Sequence, residues 1–276
     1  MKLKNVSKFF DRTPGVDGYT GLNAFKCQIK PLDLFKMDGT RVKVRSMTTT
    51  PEVVIPTRRV ISIDGQRYLV GDSSPDHWNG EKVRNRYVIQ GADDLVQIQS
   101  IAQVLADTAG TVAYASIEFN KVSTDERDNS EFHPQYHIYF GPTESVPKTS
   151  VLTASGKTYL VREAHRTLGG LLDALSNELD SPVIDAATFK SRSYNPITDT
   201  YTDTPATVRC MRVRWQDHFT YLSQGSTKYE SGDMQVFVPT SVTPKAGDTL
   251  TLTDGVWTLL SVVAESTYRS LHVRRA

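Results

Sequence analysis

The chain repeats itself. Residues 55–70 (IPTRRVISIDGQRYLV) overlay residues 146–161 (VPKTSVLTASGKTYLV) without a gap, at an offset of 91 positions. Pro56 falls on Pro147, Val60 on Val151, Gly65 on Gly156, and Tyr68-Leu69-Val70 on Tyr159-Leu160-Val161. A looser third copy runs through residues 243–262 (TPKAGDTLTLTDGVWTLLSV), with Pro244, Gly255 and Trp257 in the corresponding roles. Each copy reads as a proline-started strand, a hairpin glycine and a strand opened by an aromatic. Recurrence on this scale points to duplicated β-modules.

Composition supports the same reading. Valine (27) and threonine (30) make up about a fifth of the 276 residues. Both are β-branched and suit a pleated, half-buried surface. Alternating runs recur along the chain, punctuated by Asp38-Gly39, Asp64-Gly65, Ser155-Gly156 and Asp254-Gly255. Gly65, Gly156 and Gly255 are expected in tight hairpin turns, where glycine supplies a positive backbone torsion. The fold class is therefore mainly β: tandem small antiparallel barrel or sandwich modules. Two helices are expected besides. Residues 93–109 carry apolar side chains at 95, 98, 101, 102 and 105, and residues 166–179 carry a leucine series at 168, 171, 172, 175 and 179, both at helical spacing. Gly169-Gly170 weakens the second, and Ser181-Pro182 closes it.

Three segments follow from this pattern: a turn-rich arm over residues 1–25, a β-rich unit over 26–183 holding two repeat copies and both helices, and a β-unit over 184–276. The polar stretch TDERDNSE, residues 124–131, reads as a solvated tip.

Few residues carry a chemical signal. Thirty-two basic residues against 31 acidic ones leave a net charge of +1, without the basic excess of a dedicated nucleic-acid binder. Cys27 and Cys210 form neither a disulfide framework nor a zinc set and are read as free thiols. The opening MKLKNVSKFFDRTP has no apolar stretch of signal-peptide length, and no apolar run is long enough to span a membrane as a helix. Phosphate-loop, dinucleotide and nucleophile-elbow patterns are missing. His133 and His137 lie on an alternating stretch that spaces them about 13 Å apart, which disfavours a shared metal. Asp93-Asp94 and Asp125-Glu126 read as capping and solvating pairs. In RVRWQ, Arg212 and Arg214 are expected to face outward, with Met211, Val213 and Trp215 inward. No cofactor, metal or catalytic residue is expected.

The C-terminal unit carries a more specific signal. After a long strand from Val208, a polar connection of residues 218–233 exceeds an ordinary hairpin loop. Then come Pro244, Lys245, Gly247, Asp248, the Asp254-Gly255 turn, Trp257, and a closing strand ending in Arg274-Arg275. This order resembles the head–tail connector proteins of tailed bacteriophages, in particular the head-completion or stopper family, over residues 184–276. The resemblance implies a small β-barrel in a virion neck and a non-enzymatic role. It also implies self-assembly into a closed ring of sixfold or twelvefold symmetry. Its partners would be a portal or adaptor protein on the head side, a tail terminator or tail tube protein, and double-stranded DNA in the lumen. No membrane is implied. Tyr221, Gln224, Lys228, Arg274 and Arg275 would be assembly or channel contacts. Near-neutral charge fits passage of DNA without strong retention, and a ring calls for edge strands, arms and loops. A tail-tip, baseplate or tail-completion protein is the structural alternative. A β-rich cell-wall hydrolase using the acidic pairs is the enzymatic one.

Overall fold

The computed structural model describes residues 16–20, 23–35, 41–55, 60–124, 132–167, 169–179, 184–195, 197, 199–214 and 232–276. Among the described residues, eighteen strands close into three barrels of six. The first holds β1 (Val16–Thr20), β2 (Asn23–Phe35), β3 (Arg41–Thr49), β4 (Val60–Ile63), β5 (Gln66–Trp78) and β6 (Glu81–Gly91). The second holds β7 (Asp94–Gln99), β8 (Thr111–Thr124), β9 (Phe132–Phe140), β10 (Val151–Ala154), β11 (Lys157–Arg166) and β12 (Leu172–Glu178). The third holds β13 (Ile184–Asn195), β14 (Thr200–Arg214), β15 (Met234–Pro239), β16 (Thr249–Leu252), β17 (Gly255–Ala264) and β18 (Tyr268–Arg275). Each barrel has the same circular order, first-second-third-sixth-fifth-fourth, and closes by pairing its fourth strand antiparallel to its first.

The sequence repeat is the hairpin of the fourth and fifth strands, once per barrel. Its alternation places matching side chains inside. Ile61, Ile63, Tyr68 and Val70 fill the first core, Leu152, Ala154, Tyr159 and Val161 the second, and Leu250, Leu252, Trp257 and Leu259 the third. A β-bulge follows the aromatic by two residues in all three fifth strands, at Val70/Ser73, Val161/Glu163 and Leu259/Ser261. One extra residue there bends the strand and raises its local twist, which closing six strands into a barrel requires.

The outward face of the same hairpin changes along the chain. The cross-strand pair is Val60–Leu69 in the first barrel, Val151–Leu160 in the second and Thr249–Thr258 in the third. The first pair joins an apolar cluster with Val44, Ala92, Tyr139 and Leu171, which binds barrel one to barrel two. The second pair joins one with Met211, Val213 and Phe237, which binds barrel two to barrel three. The third is threonine, which leaves the outer surface of that hairpin polar.

Several expectations are corrected. Val16–Thr20 and residues 23–25, the start of β2, belong to the first barrel, so these are strand and not arm; residues 1–15, 21 and 22 lie outside the described residues. The strand order divides residues 26–183 between two barrels, while the third begins at Ile184. In the first expected helix only Ile101–Leu105 (α1) is helical, starting from a Ser100 capping box with Gln103. Asp94–Gln99 is a strand because Val96 and Ile98 alternate into the core. The second expected helix is β12. Its leucines mimic a helical face because they serve separate layers: Leu171 the first seam, Leu172 the barrel interior, Leu179 the second seam. Closed barrels also leave no edges for ring pairing at their walls. Open backbone occurs instead where hairpins outrun their barrels, as in β13–β14, whose twelve-residue register extends well past the pairing of β13 with β16.

Candidate functional site

Charged side chains near the barrel ends are consumed by one another. In the third barrel, the Arg212 guanidinium donates to Asp185 Oδ2 at 2.7 Å and to Asp254 Oδ2 at 2.6 Å, while Thr253 Oγ1 donates to Asp185 at 2.9 Å. Burial acts to raise the Asp185 carboxyl, but hydrogen bonds from Ala186, Arg212 and Thr253 outweigh it and hold it below the usual carboxylate range. Arg212 therefore does not face solvent as expected: Met211 and Val213 face the second seam, and Arg212, on the opposite side of β14, closes this ion cluster. Trp215 lies outside the described residues, as does the Arg214 side chain.

A second cluster stands at the foot of the 215–231 connection. Arg274 grips Asp233 with two bonds, Nε to Oδ1 at 2.8 Å and Nη2 to Oδ2 at 3.0 Å, and His272 Nε2 meets Oδ2 at 2.7 Å. Burial pushes the His272 imidazole below its ordinary value, and Asp233 offsets this only in part. In the second barrel, buried Asp173 is met by His137 Nδ1 at 2.9 Å and by His165 at 3.6 Å.

These geometries place the expected site residues. Gly65 (φ 76°) and Gly156 (φ 78°) are the second residues of two-residue loops. Gly255 (φ 139°) stands one residue beyond the Thr253-Asp254 loop and opens β17. Arg274 anchors Asp233, and Arg275 donates to the Asp254 carbonyl at 3.0 Å. Tyr221, Gln224 and Lys228 lie outside the described residues, as do Asp125 and Glu126. Their connection joins the second and third strands of its barrel, the same topological position as residues 36–40 and 125–131. Among the described residues, no group of three metal-capable side chains converges. Burial pushes the Cys210 thiol up to about 12, which leaves it without thiolate character.

Two features escaped the sequence reading. Gly71, Gly169 and Gly170 form the backbone contact of the first seam, where Asp72 N–H donates to the Gly169 carbonyl at 2.7 Å. The β5–β6 hairpin projects Trp78 into solvent on an Asn79-Gly80 turn. Asn-Gly is the strongest short-range hairpin signal and would have located it. No helix among the described residues is long and apolar enough to cross a membrane. No family model, curated protein or solved structure matches this chain.

Proposed function

We propose that this chain is a non-enzymatic structural component of a tailed-phage virion, joining others of its kind in the neck between DNA-filled head and tail. The observation that carries the structural part is the consumption of polar groups by the fold: three cores filled by apolar side chains, with the clusters around Asp185, Asp173 and Asp233 internally paired. A cleft enzyme keeps poised, accessible acids and bases. Rigid barrels locked by apolar seams suit transmission of load between neighbours. The neck assignment rests on the order of turns and strands in residues 184–276, where the connection from β14 to β15 is longer than an ordinary hairpin loop and would carry contacts with portal, adaptor or tail proteins and passing DNA. One observation favours the tail tip instead: three tandem barrels stand where the stopper family has one.

Disrupting the gene in its phage separates these readings. Unjoined filled heads and tails are expected for a neck protein, whereas joined particles that cannot infect place it at the tip. Normal infectious yield would refute both. In the same system, deleting residues 222–228 is expected to leave the purified protein's melting temperature unchanged and to lower particle yield.

A further inference from the structure

Beyond its bulge, β5 parts from β4, with which only Gln66 to Leu69 pair. Ser73 to Pro75 pair with the stretch of β6 that β3 covers, whereas Asp76 to Trp78 pair with β6 beyond the reach of β3, so the end of the ribbon stands out as a finger. Its tip is preorganised. Asn79 (φ 50°) and Gly80 (φ 82°) form a two-residue turn, and Asp76 is clamped by Arg84 and by Arg86 at 2.9 Å. Burial acts to raise the Asp76 carboxyl, but the two guanidiniums hold it below the usual range. Trp78 at the tip is 66% exposed. A rigid hairpin carrying an unburied indole loses little entropy on docking and presents the residue type that most often anchors interfaces.

The same chain carries a receptor. Where barrels two and three meet, a cavity of about 360 Å³ is bounded by Gln97, Val104, Asp107, Val151, Ile184 and Arg209, among others. Val104 and Val151 in its lining are buried, the rest of the lining is largely polar, and the Arg209–Asp107 pair at 2.9 Å borders it with both side chains solvent-accessible. Glu81, paired across the strand with Trp78, shares its face of the finger and is opposite in charge to Arg209, which also offers a cation to the indole face. Repeating the inter-barrel seam cannot recruit another copy, because the last hairpin presents Thr249 and Thr258.

We propose that the finger of one copy seats Trp78 in the barrel two–barrel three groove of a second copy. The contact joins unlike surfaces, so it is head-to-tail and propagates to a ring where the rotation closes. It rests on the assembly reading above and names its interface.

Sedimentation velocity on the full chain across a concentration series tests it. Wild type is expected to associate, and Trp78→Ala to weaken association by about 30-fold or more, the effect of removing an interface anchor. Glu81→Arg and Arg209→Glu are each expected to dissociate the assembly, and mixing the two variants to restore it, since each then offers the other a complementary finger and groove. Should Arg209→Glu fail to fold, Trp78→Ala on the exposed tip still decides. Association of Trp78→Ala and Glu81→Arg at wild-type strength overturns the finger while leaving self-assembly intact. A wild-type chain that stays monomeric overturns both. Flotation of monomeric wild type, but not Trp78→Ala, with phosphatidylserine vesicles overturns the proposal in favour of a lipid surface.

Discussion

Gly71 and Gly169 touch backbone to backbone across the first seam. A Cβ on Gly71 would stand 2.1 Å from the Gly169 carbonyl oxygen, and one on Gly169 would stand 2.7 Å from Val88 Cγ1. The close approach lets Asp72 bond across the junction. Gly71→Ala is therefore expected to cost about 1–3 kcal/mol, the usual penalty of overpacking, by forcing the barrels apart. Urea unfolding measures it, with Gly141→Ala as the control, since nothing lies within 4 Å of a Cβ there. Equal midpoints for the two variants would remove the seam's steric argument.

The ion cluster of the third barrel makes a separate prediction. The Asp185 and Arg212 side chains are only 2% and 10% exposed. Arg212→Met leaves the carboxylate without its cation and is expected to destabilise by about 3 kcal/mol. Because the pair is shielded from solvent, the loss should persist in high salt. A loss that vanishes as salt rises would mark a surface pair instead.

His272 sets a pH dependence. Its folded value is depressed, so the unfolded chain binds a proton more readily, and stability is full above the ordinary value of about 6.5 and falls as pH drops toward the lower folded value. The wild-type melting temperature is expected to decline between about pH 7.5 and pH 5.5. Replacing His272 by Gln should flatten that decline. Asp76 and Asp185, also depressed, act in a separate window below about pH 4, so their loss does not mimic it.

The repeated hairpin's outer face can be exchanged between its two roles. Val151→Thr with Leu160→Thr should open the second seam at a cost of about 3 kcal/mol, through lost apolar burial. The reverse change, Thr249→Val with Thr258→Leu, gives the third hairpin the apolar outer face of the other two and is expected to promote concentration-dependent association, read by light scattering. A doubly substituted chain that associates no more than wild type would contradict this reading of the outer face.

The repeat, the barrel interiors and the turn positions were readable from residue order, because each depends on local chemistry. Alternation places Ile61, Leu152 and Leu250 inward, and a two-residue loop needs the positive torsions of Asp64-Gly65 and Ser155-Gly156. The same order records the change of the outer pair from Val151 and Leu160 to Thr249 and Thr258. What only the tertiary structure decided was where one barrel meets the next. Residues 171–179 have a helical leucine spacing, yet form a strand because apolar partners wait on three sides: Val44 and Ala92 of the first barrel, the interior of the second, and Phe237 of the third. Gly169 and Gly170 read as helix weakeners by propensity, yet a Cβ would run into Val88 at the first and Asp72 at the second, both across the seam. Periodicity records how many sides of a segment are covered, not which neighbours cover them; that depends on contacts between residues far apart in the chain.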